Sequence, residues 1–187
     1  GGIGVAAVKT AADFETSMSK VEALSRASGD ELEALEKKAR EMGASTKFSA
    51  TESADAMGYM ALAGWDTNKM LAAIEPILNL AAASEMDLAT ASDIVTDYMT
   101  AFGIECDDAG KNATHFSDMM AYAMANSNTT TEMLAEAYKN VAATAASMGY
   151  TAEETAEILG LSKEAGYKLG QRAKQRLEIL CREEGLL

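Results

Sequence analysis

Apolar positions recur at helical spacing along most of the chain. Leu32, Leu35, Ala39 and Met42 fall three or four residues apart, as do Leu88, Ala91, Ile94, Val95, Tyr98 and Phe102. That spacing stacks side chains on one face of an α-helix. Strand-favouring runs of Val, Ile, Tyr and Phe are absent. Polar residues punctuate the pattern. Ser or Thr with Glu three residues later occurs at Ser28/Glu31, Ser49/Glu52, Thr129/Glu132 and Thr151/Glu154. In such a capping box the hydroxyl accepts from a free N–H of the first turn, while the carboxylate reaches back. Gly43, Gly64, Gly103 and Gly149 are placed to end helices. The pattern predicts helices over about 5–25, 29–42, 50–63, 68–84, 88–102, 108–125, 130–148, 152–159 and 163–183. Pro76 inside the fourth predicts a kink or a break. Glu33/Lys37 and Glu36/Arg40 are spaced to support the outer face of the second.

Shifting the chain by 63 positions lays residues 50–103 over 113–166 without a gap, with 14 identities in 54 positions. The matches include Ala50/Ala113, Asp55/Asp118, Met57/Met120, Tyr59/Tyr122 and Met70/Met133, then Ala82/Ala145, Ala83/Ala146, Ser84/Ser147 and Gly103/Gly166. The expected architecture is therefore all-α, an elongated multi-helix array with a duplicated three-helix unit. N-terminal helices at 1–45 precede the duplicated region, 46–166, and a basic helix at 167–187 follows it.

Composition sharpens this. The 187 residues are rich in Ala, Met, Leu and Glu, all strong helix formers, and contain one proline. A chain of this length can build a core without disulfides or metals. Net charge is −13. Residues 163–187 hold six basic and four acidic side chains, a balance of +2, which leaves −15 on the rest. So acidic a body repels nucleic acid and anionic lipid. Cys106 and Cys181 lie far apart and read as two reduced, intracellular thiols rather than a secreted disulfide framework. The first ten residues lack the basic start and long apolar core of a signal peptide. No stretch reaches the ~20 apolar residues of a membrane span. The absence of an initial Met, with an apolar helix under way by Val5, suggests a piece of something longer.

Candidate chemistry is sparse. His115 stands alone, without Cys at ligand spacing, so no metal site is expected, and its simple reading is a helix-face histidine. Asp107 and Asp108 beside Cys106 suit helix capping better than acid/base work. No P-loop, HExxH or nucleophile-elbow pattern occurs, so no catalytic or cofactor-binding residue is assigned, no small-molecule substrate is implied, and a non-enzyme is expected. Met at helical spacing is ordinarily core filling, but Met57 and Met120 could instead line a soft partner-binding groove. Trp65, in Ala-Gly-Trp-Asp-Thr, is either a turn aromatic over a helix end or an exposed contact anchor.

Longer wording adds an independent line. Thr46 to Ser49 with Ala56-Met-Gly-Tyr-Met-Ala-Leu-Ala-Gly-Trp-Asp-Thr67, Leu78 to Ser84, Asp87 to Asp93, Ala125 to Thr130 and Ala165-Gly166 resemble the helical region of phage tail tape-measure proteins over about residues 8–166. The resemblance implies a structural ruler that fills the tail tube, leaves when DNA passes, and binds tail-tube, tail assembly chaperone and baseplate or initiator proteins. It implies residence in the bacterial cytoplasm during assembly and in the virion tail lumen afterwards, with self-association. A fully helical chain of this length spans roughly 280 Å, several times less than such tails. After Lys168 and Gln171 the likeness fades into basic sequence, which reads as a truncated, rearranged or excised form of the family.

A second reading rests on residues 150–187. Thr151 to Ser162, followed by Arg172-Ala-Lys-Gln-Arg-Leu177, resembles the helix-turn-helix of sigma-factor region four. It would place Arg172, Lys174 and Arg176 at DNA. Gly166 and Gly170 in the would-be recognition helix, and the acidic body, weigh against nucleic acid as a partner.

Overall fold

The computed structural model describes residues 2–107, 110–126, 141–151 and 154–155. Among these every regular element is helical. The helices are α1 (Gly2–Ser25), α2 (Asp30–Ser45), α3 (Ala50–Leu62), α4 (Thr67–Ala83), α5 (Leu88–Ala101) and α6 (Lys111–Asn126), and residues 141–147 are helical as well. The chain divides into two compact units, Gly1–Ala121 and Tyr122–Leu187.

Polar caps start α3, α4 and α5. Ser49 and Glu52 close a reciprocal capping box on α3, the Ser49 hydroxyl accepting from Glu52 N at 3.1 Å and Glu52 accepting from Ser49 N at 2.7 Å. Asp66 accepts from Lys69 N to start α4, and Asp87 accepts from Thr90 N at 2.8 Å to start α5. The expected box at Ser28/Glu31 does not form. Gly29, at φ 53°, is the N-cap of α2 and no side chain caps it. The box at Thr129/Glu132 lies outside the described residues.

Glycine ends α3 and α5 as expected. Gly64 (φ 82°) and Gly103 (φ 64°) adopt the left-handed conformation that glycine alone takes without strain. The N–H of Trp65 donates to Met60 O and that of Ile104 to Met99 O, the six-to-one bond of a Schellman end. Gly43 behaves otherwise. Helix α2 runs past it to Ser45, because Gly43 serves close packing: a Cβ there would lie 2.4 Å from the Ala50 backbone N. Helix α4 likewise continues through Pro76 without a break. Arg40 is turned over the Phe14 ring, 4.1 Å from its centroid, rather than toward Glu36.

Helix α3 sits at the centre and packs on α1, α2, α4 and α5. Ser53, Ala54, Ala56, Met57, Gly58, Met60 and Ala61 are all buried, so it has almost no solvent face. Its short side chains let four neighbours approach. Phe14, Met18 and Val21 of α1 cover one side, Leu35, Ala39 and Met42 of α2 another, and Met70, Ile74, Ile77 and Leu78 of α4 complete the core with Ile94, Val95 and Met99 of α5. The buried Ser92 hydroxyl donates to Ala56 O at 2.8 Å, pinning α5 to α3.

The second unit repeats one detail of the first. Ser84 N donates to Leu80 O, Thr90 N to the Asp87 side chain, and Ala91 N to Asp87 O. In the same order Met148 N donates to Thr144 O, Glu154 N to the Thr151 hydroxyl, and Thr155 N to Thr151 O. Glu85 (φ 56°) and Gly149 (φ 81°) turn the chain at matching points. These pairs stand 64 apart, not the 63 of the sequence matches, and they do not establish the duplicated three-helix unit.

Candidate functional site

The C-terminal ends of α3 and α5 and the first turn of α4 meet in a surface cleft of about 310 Å³. Two glycine-closed helix ends, Gly64-Trp65 and Gly103-Ile104, line it together with Ala63, Lys69, Thr100, Glu105 and Cys106. Since α3 and α5 end at the same place and touch at their middles, they run in the same direction, and α4 returns between their ends. Lys69 lies 3.7 Å from Asp66 and keeps a quarter of its side chain exposed.

Of the expected contact residues, Trp65 belongs to this cleft but is 7% exposed. Met57 and Met120, at 0% and 1%, are core side chains that offer nothing to a partner as folded. Leu62, 60% exposed on the last turn of α3, is the larger apolar surface nearby. Sequence pattern alone did not assemble this cleft, because it arises where helix ends 39 residues apart in the chain converge. The two Schellman glycines were its only visible signal.

The remaining candidates have structural settings. Cys106 is buried, its Sγ 4.0 Å from Lys69 O. Asp107 accepts from Asn112 N at 3.1 Å and so caps the start of α6, as paired acids at that place suggest. Asp108 lies outside the described residues. His115 is on the exposed face of α6. Among the described residues no group of three His, Cys, Asp or Glu side chains is placed to hold a metal. Nor is any helix there long and apolar enough to cross a membrane. Arg172, Lys174, Arg176 and Cys181 lie outside the described residues.

Residues 36–180 match the family described as phage-related minor tail protein. The chain belongs to that family of phage tail proteins. It is 39% identical over 170 residues to the tape measure protein of Pneumococcus phage Dp-1, covering 91% of this chain and 14% of that protein. It is 27% identical over 175 residues to the probable tape measure protein of Escherichia phage P2, covering 88% of this chain and 21% of that one. The chain thus spans between a seventh and about a fifth of the relatives it matches. No solved structure matches it. The match runs through Arg172, Lys174 and Arg176, so the segment that resembles a helix-turn-helix belongs to the phage tail family region.

Proposed function

We propose that this chain is one helical stretch of a tape-measure protein, a ruler and assembly component of the phage tail tube. The identity to the Dp-1 protein over nine-tenths of the chain carries the reading. On it, the chain assembles in the bacterial cytoplasm with tail-tube, tail assembly chaperone and baseplate or initiator proteins, and with further copies of itself, before residing in the tail lumen. Its role is structural rather than catalytic. A partner contact at Trp65 would use the cleft edge, whereas Met57 and Met120 become available only if the helices part.

Residues 46–166 form, on this reading, a duplicated region between the N-terminal helices at 1–45 and a basic helix at 167–187. Support comes from Ser53/Phe116, Ala54/Ser117 and Met57/Met120, buried pairs 63 apart, and from the caps and turns 64 apart. The two spacings differ by one residue.

The ruler reading is tested by changing length. Duplicating these 187 codons in frame within the full-length gene should lengthen the tail, by up to roughly 280 Å if the added stretch is fully helical. Deleting them should shorten it. Tails of unchanged length in both variants, measured by electron microscopy, would reject the reading. A zymogram on bacterial cell walls tests the non-enzymatic role. A cleared band abolished by a point substitution would overturn it.

A further inference from the structure

We propose that α6 is a releasable helix, held against α4 by a strap made of the contacts of Cys106 and Gly110, which can open while α1 to α5 stay folded. The inference does not depend on the ruler reading. Two residues between α5 and α6, Cys106 and Gly110, lie against the first half of α4. Cys106 Sγ rests near Lys69 O, and one turn further on Gly110 rests against Ala72, where a Cβ would come within 2.6 Å of the Ala72 carbonyl oxygen. Pro76, four residues beyond Ala72, has no N–H to give that carbonyl. The helix defect therefore opens the place that Gly110 occupies, and Gly110 (φ 67°) can follow the chain path required there. Asn112 fastens the other end: its N–H donates to Asp107 Oδ1 and its side-chain amide to Glu105 O at 2.9 Å, both at the exposed surface.

What α6 buries behind this fastening is modest. Its inward side chains are Ala113, Phe116, Ser117 and Met120, with Phe116 stacked on Tyr98 at 4.3 Å between ring centroids. Of the eleven largest fully buried side chains among the described residues, α6 supplies Met120 alone. The Ser117 hydroxyl is buried at 2% exposure with no hydrogen-bond partner. A buried hydroxyl left unpaired opposes packing, and opening hydrates it. The fastening bonds are solvent-facing and local. Stability of this kind places α6 at the low end of the scale on which helices open one after another.

Cys106 reports the opening, because its thiol is covered when the strap is closed. The full chain carrying Cys181→Ser leaves it as the single thiol. An aromatic disulfide reagent should label it through an opening whose rate rises only weakly with denaturant, while the circular dichroism of the folded chain is retained. Ser117→Ala should slow labelling roughly fivefold or more, since it removes the unpaired hydroxyl. Gly110→Ala should accelerate it at least about tenfold, from the clash and the left-handed φ together, with the main unfolding midpoint little changed. If Gly110→Ala fails to fold, Ser117→Ala and the denaturant dependence decide. Labelling with the full denaturant dependence of global unfolding, in the parent and in Ser117→Ala, would overturn the proposal.

Discussion

Glycine takes opposite roles at two residues that look alike in sequence. Gly43 and Gly58 both lie inside helices, α2 and α3. A methyl group at Gly43 would meet the Ala50 backbone at 2.4 and 2.9 Å, atoms that cannot swing aside. Gly43→Ala is expected to destabilise by about 1–3 kcal/mol, the ordinary cost of overpacking. At Gly58 a Cβ meets nothing within 4 Å. Gly58→Ala is expected to stabilise by roughly 0.5–1 kcal/mol through helix propensity. Melting temperatures of the two variants should move in opposite directions, and a parallel shift would refute the packing argument. Sequence alone assigned Gly43 to a helix end. Nothing local distinguishes a stop from a close crossing when both ask for the smallest residue.

At the scale of single helices, the Ser49/Glu52 box made the start of α3 legible, whereas the Asp66 and Asp87 caps emerge only in the structure. Ser49, Asp66 and Asp87 each hold an N–H of the first turn that would otherwise be free. Asp87→Ala should cost about 1 kcal/mol, as loss of an Asp N-cap ordinarily does. The Asp87 carboxyl sits below its ordinary value, chiefly because the Thr90 hydroxyl and then the Thr90 N–H donate to its charged form. A carboxylate lowered in the folded state contributes fully above the unfolded carboxylate range and loses that contribution as pH falls through its folded value. The penalty of Asp87→Ala should therefore be largest near neutral pH and shrink in acid. Asp87→Asn should keep most of the cap with less pH dependence, which urea melts at pH 7 and pH 3 would check. What the sequence could not convey was how helices meet. Amphipathic spacing revealed the buried faces of α2 and α5. Helix α3 has no such stripe, because it is buried nearly all round, and only its Ser49/Glu52 box gave it away. The cleft beside Trp65 was equally hidden, being made by helix ends rather than by any one segment.

For the whole chain, charge and exposed apolar surface work against each other. A formal charge of −13 keeps copies apart at low salt. Leu62, Tyr122 and Met148, each about 60% exposed, give copies a reason to associate. Light scattering should find a small oligomer, dimer to hexamer, that grows more populated as added salt screens the acidic surface. A strict monomer at both low and high ionic strength would contradict this. Gel shifts address the regulator reading. Little sequence-selective retardation is expected, and selective binding lost on Arg172→Ala with Arg176→Ala would favour DNA recognition instead.

The encirclement of α3 has a consequence for how the chain holds together as it folds. Helix α1 packs principally on α3, and α3 also touches α2, α4 and α5. Its 13 residues form a rod about 20 Å long. Before that rod is in place, Phe14, Met18 and Val21 of α1 lack their main apolar surface to cover. Neither flank can reach its full stability without it. Residues 9–107 should accordingly melt as one cooperative transition, with the amides of α3 the last to exchange with solvent. A nick within α3 should abolish that transition rather than divide it into two smaller ones.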